Sequence, residues 1–192
     1  MKFSKTELKE LAKAWIAISV AFGILIRPGS VSEPSFLISI LLAALTVGLG
    51  FFLHELAHKY FAQKYKCFAE FRAHDGMLVL AILMSFFGFI FAAPGAVIIS
   101  GYVDKKRNGI ISVAGPITNL VLAIIFALLL PILGSIAYYG FLINAWLGLF
   151  NMIPLGNFDG TKVLAWNKGV YAITLIIALF LVFFSSLLGI SL

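Results

Sequence analysis

The run SFLISILLAALTVGLGFFL at residues 35–53 has no charged side chain. Its length matches the roughly 20 apolar residues needed to cross a hydrocarbon core. Further mainly apolar runs occupy residues 8–26, 77–99, 111–133, 136–149 and 169–187. A chain of 192 residues divided in this way has little room for a water-soluble core. Only 11% of its residues are charged, against about 25% in soluble domains. The expectation is therefore an all-α membrane protein in the lipid bilayer of the cell, forming a single domain over residues 1–192.

The net charge of +6 raises nucleic acid as a partner. The basic residues, however, lie in short loops between apolar runs, and no basic stripe with interleaved aromatics is present, so no nucleic-acid partner is expected. The N-terminal segment MKFSKTELKELAKAWIAISVAFGILI has a basic start and an apolar stretch, as a signal peptide does. It lacks a small-x-small cleavage site before RPGSVSEP, and SKTE reads as a helix capping box, so it is expected to remain as a first helix. The single Cys67 cannot form an intrachain disulfide or complete a cysteine metal site.

The apolar run continues into HELAHKYFAQKY. Ionisable groups at membrane depth cost about 3 kcal/mol each on insertion scales, so they usually serve a function. His54 and His58 are four apart and share one face of a helix, where both imidazoles can address one ion. Glu55 is placed to take a proton from a water that zinc has made acidic. Two satisfied core histidines flanking a glutamate are the alternative. With three histidines and five glutamates in the chain, this spacing favours the metal.

Catalytic zinc generally takes three protein ligands. Beyond Lys105 the one acid before the C-terminus is Asp159, set among Pro154, Gly156 and Gly160, where the fifth helix breaks down. Irregular backbone at membrane depth is tolerated against protein or a wet cavity, so an acid there can close a site. His74 and Asp75 compete for the role, but they fall in a basic loop that should meet solvent. Asn151 offers an amide that could polarise a substrate carbonyl, or could merely cap the broken helix.

HELAH on the second helix, AGPITN later and NMIPLGNFDG further on together resemble the site-2 protease family of intramembrane zinc metalloproteases. The motifs lie within residues 36–165 in the family's order and approximate spacing. The resemblance implies one zinc held by His54, His58 and Asp159, with Glu55 as general base. Asn151 becomes an oxyanion or substrate contact, and the substrates are transmembrane segments of other proteins. Where many members read Asp-Gly-Gly, this chain reads Asp159-Gly160-Thr161, which leaves the ligand intact. No insertion is long enough for a PDZ domain. A metal-binding pseudoprotease and an ion transporter are the rival classes. The intact Glu55 argues against the first, and the lack of broken helices in both halves argues against the second.

A shared zinc site requires an even number of crossings between His58 and Asp159. Residues 77–99 should therefore enter and leave on one side, as a helix followed by extended chain around Pro94-Gly95. About five transmembrane helices plus this re-entrant segment result. The arrangement puts 13 of the 14 Lys and Arg residues on one face and only Arg27 opposite. That makes the N-terminus and the mouth of the site cytoplasmic and the C-terminus external. The extended half, GFIFAAPGAVII, could pair with an unwound substrate or simply seal the site from lipid.

Overall fold

A computed structural model describes residues 1–27, 29–31, 35–90 and 94–187, without the side chains of 185–187. Parts of RPGSVSEP and of GFIFAAPGAVII lie outside the described residues. The first helix, α1 (Lys5–Ile26), starts at Ser4, whose hydroxyl accepts a bond from the Glu7 amide at 3.0 Å. This is the expected N-cap, because it satisfies one of the first turn's orphan donors.

The next helical stretch has three parts. They are α2 (Ser35–Ala43), a π turn over Ala44–Gly48, and α3 (Leu49–Lys64), which carries HELAH. In a π turn the backbone bonds reach one residue further than in an α-helix. Here the Trp15 indole N–H on α1 donates to the Ala44 carbonyl at 3.2 Å.

One expectation is corrected here. The chain is mostly helical but not all-α: residues 68–73, which directly precede His74 and Asp75 where the sequence reads as a basic loop, form a strand. β1 (Phe68–Ala73) pairs antiparallel with β2 (Gly95–Ser100), in a register running from Phe68 opposite Ser100 to Ala73 opposite Gly95. A lone two-stranded ribbon is marginal in water. This one survives because α1 and α3 pack against it, with Phe71 buried edge-on to Phe51.

Between the strands stands α4 (Asp75–Ser85), capped by His74, whose ring nitrogen accepts from the Met77 amide. Asp75, in its first turn, pairs with Lys13 on α1. The His74 amide donates to the Pro94 carbonyl at 3.0 Å. The chain thus leaves the sheet at Ala73 and rejoins it directly opposite, so the excursion has no net displacement.

The remaining helices are α5 (Lys105–Leu133), α6 (Ser135–Asn151), α7 (Asp159–Trp166) and α8 (Lys168–Leu187). Asp104 caps α5 by accepting from the Arg107 amide at 2.7 Å. α5 lies at the centre and packs on α3, α6, α7 and α8. Glycine permits two of the closest approaches. A Cβ at Gly109 would collide with Trp166, and one at Gly140 would sit 2.5 Å from the Phe126 ring. Among the described residues, Ser35–Lys64 and Lys105–Leu133 are each long and apolar enough to cross a membrane.

Candidate metal centre

α3 brings His54 and His58 onto one face, and the first residue of α7, Asp159, meets them there. All three are buried. Their facing atoms form a small triangle: His54 Nε2 to His58 Nε2 is 3.0 Å, His58 Nε2 to Asp159 Oδ2 is 3.1 Å, and His54 Nε2 to Asp159 Oδ2 is 3.4 Å. Donors held about 2.1 Å from a tetrahedral ion lie about 3.4 Å apart, so one zinc fits this triangle with little adjustment. Asp159 completes the set with a carboxylate oxygen.

The outer nitrogens determine which ring atoms face inward. His54 Nδ1–H donates to Asn119 Oδ1 at 2.5 Å, and His58 Nδ1–H donates to the Ile111 carbonyl at 2.8 Å. The Asn119 orientation is fixed in turn, because its Nδ2 donates to the Gly50 carbonyl at 3.1 Å and to Asn144 Oδ1 at 3.0 Å. With both protons on Nδ1, both Nε2 lone pairs point into the site. Two lone pairs and a carboxylate oxygen at these separations repel each other unless a cation lies between them. This is the ligand-orienting arrangement expected around a bound metal.

Asn119 and Asn144 were not singled out by sequence reasoning, although AGPITN ends on Asn119. The available signal was a polar amide in an apolar helix, which is costly unless hydrogen-bonded. Gly115 of the same motif was also missed. A Cβ there would come 2.5 Å from His58 Nε2 and 2.6 Å from His54 Nε2, so only glycine lets α5 close over the imidazoles.

Glu55 is buried beside the histidines, and its Oε2 has no hydrogen-bond partner. The Val97 amide of β2 interacts with the same carboxylate. Val97 belongs to a pair whose amides point away from the ladder. His74 bonds Pro94, so the bonded pairs continue as 72–96 and 70–98, and the alternate residues 95, 97 and 99 face outward. One edge of the sheet therefore looks toward Glu55.

Asn151 ends α6, half-buried, with its Nδ2 donating to the Leu147 carbonyl at 2.9 Å. The competitors are settled by position. His74 caps α4 and Asp75 pairs with Lys13, both at the sheet end of α4, whereas His54, His58 and Asp159 converge.

Fold and site together define a mostly helical protein in which two buried histidines and an aspartate converge as a metal ion would require, beside a buried carboxylate with one unpaired oxygen. A protein of Methanocaldococcus jannaschii named "Putative zinc metalloprotease" is 41% identical to this chain over 181 residues, covering 90% of each. At that identity and coverage the chain belongs to the same zinc metalloprotease family. No family model matches the chain, and no solved structure does.

Proposed function

We propose that the protein is an intramembrane zinc endopeptidase of the site-2 protease kind, cutting peptide bonds within transmembrane segments of other proteins. The observation that carries this reading is the partnerless, buried Glu55 Oε2 beside three converging metal donors, on a helical stretch long and apolar enough to span a bilayer. Zinc, held by His54, His58 and Asp159, would supply Lewis acidity that brings the pKa of a water to about 7. Glu55 takes the proton of the attacking water and passes it to the leaving amide nitrogen. Asn119 and the Ile111 carbonyl keep the imidazoles in the required tautomer. The outward edge of β2 aligns the extended substrate backbone through residues 95 and 99 and the Val97 carbonyl.

In this reading α1, α2–α3, α5, α6 and α8 supply five crossings, and the segment over residues 77–99, which includes most of α4 and of β2, re-enters from the cytoplasmic side. The N-terminus and the mouth of the site are cytoplasmic, following the basic residues. Asn151 has a second amide hydrogen beyond the one given to Leu147, and it is assigned to the developing oxyanion.

Two results are expected. Purified protein in phospholipid vesicles should cut members of a synthetic transmembrane-peptide library. A zinc chelator should stop the cutting, and one equivalent of zinc should restore it. Cleavage unchanged by chelator would refute the zinc reading. Asn151→Ala should lower turnover about 10²-fold with zinc retained, as for other side-chain oxyanion donors. Turnover near that of the unsubstituted protein would leave Asn151 only its bond to Leu147.

A further inference from the structure

The sheet's two edges are not equivalent. On the β1 edge the outward-facing groups are those of Ala69, Phe71 and Ala73. One outward group of each residue is taken by a side chain from a helix. Lys59 Nζ donates to the Ala69 carbonyl at 2.7 Å, the Phe71 amide donates to Glu7 Oε1 at 2.9 Å, and the Ala73 amide donates to Glu10 Oε2 at 3.2 Å. Glu7 and Glu10 are three apart on α1, so they share a face and match the two-residue repeat of the strand.

Lys59 follows His58 directly, and it also bonds both oxygens of Glu7 at 2.7 Å. Lys59 and Glu7 are among the most deeply buried side chains of the protein. A buried pair of this kind adds little net stability over apolar side chains of similar size, so a role in specifying geometry is the better reason to look for.

We infer that Glu7, Glu10 and Lys59 are positioning residues: they close the β1 edge and lock the sheet in register against the helix carrying the metal ligands. A strand can then be added only at β2, and at a fixed distance along it from Glu55. The three side chains thereby decide which substrate bond reaches the metal. This rests on the strand-pairing reading proposed above. Without the anchors the ribbon can slide, and a slide of two residues preserves its buried face.

The test uses the full-length protein in vesicles with a library peptide that it cuts, the cut position being read by mass spectrometry. Glu10→Ala removes one anchor from a partly exposed site. Glu7→Leu with Lys59→Met removes the other two without leaving a buried charge. Both variants are expected to hold one zinc per chain, to raise KM about tenfold, as for a lost hydrogen bond or two, and to spread cleavage to bonds two residues away. Glu7→Lys with Lys59→Glu keeps an ion pair but offers neither an acceptor to Phe71 nor a donor to Ala69. It should spread cleavage in the same way, whereas a purely structural ion pair would be rescued by the swap. Ile99→Pro, which removes an outward amide of β2 other than the one held by Glu55, tests the underlying reading separately. If Ile99→Pro cuts as well as the unsubstituted protein, strand pairing is wrong and the inference falls with it. If Ile99→Pro loses cleavage while keeping one zinc per chain, and the anchor variants still cut one bond with unchanged KM, the inference alone is overturned.

Discussion

Glu55→Gln is expected to stop cleavage while leaving the zinc in place. Glutamine is nearly the same size, and its carbonyl oxygen can still accept from the Val97 amide that interacts with Glu55. It cannot take up a proton at neutral pH. Since general-base catalysis contributes about 10²–10⁴-fold, turnover should fall by at least that range, with about one equivalent of zinc per chain and unchanged folding. Metal analysis and peptide cleavage on the same sample read both quantities. Loss of zinc would make Glu55 a ligand or a necessary support for one. Full activity with zinc bound would remove it from the chemistry.

Alanine at His54, His58 or Asp159 is expected to cost metal and activity together. Losing a group that merely orients a metal ligand lowers affinity about 10–100-fold, so losing a direct donor should exceed about 100-fold. The donors come from two helices, α3 and α7, whose approach leaves three electron-rich atoms within 4.8 Å of one another. Bound metal therefore also ties α7 to α3, and the ligand variants should melt at lower temperature than Glu55→Gln, because a ligand that binds only the folded state stabilises it. A second ligand substitution on top of the first should add almost nothing to the loss of turnover, since the donors act as a unit.

The site was more legible in the sequence than the scaffold around it. HELAH reports its own geometry, because a spacing of four on a helix fixes the face. Asp159 could be found because acids are so scarce in the apolar half of the chain. By contrast, FAEFRA gave no strong strand signal among Lys64, Lys66 and Arg72. What makes it a strand is tertiary: Glu7 and Glu10, some 63 residues earlier, accept its outward amides. α7 was hidden for the same reason, since its start at Asp159 follows a Pro- and Gly-rich break and it is held by packing on α5 and α8. Asn119 and Asn144 could be seen as polar residues in apolar helices, but their link to His54 requires three helices to meet.

The measurement that bears most directly on zinc held by two histidines and an aspartate is X-ray absorption at the zinc edge of purified protein, compared with Asp159→Ala. The expected spectrum shows one zinc per chain with two imidazole nitrogens and carboxylate oxygen at about 2.0–2.2 Å, and no signal from a protein-bound ion in the variant. A metal-free native protein, a sulfur ligand from Cys67, or an unchanged spectrum in Asp159→Ala would contradict it.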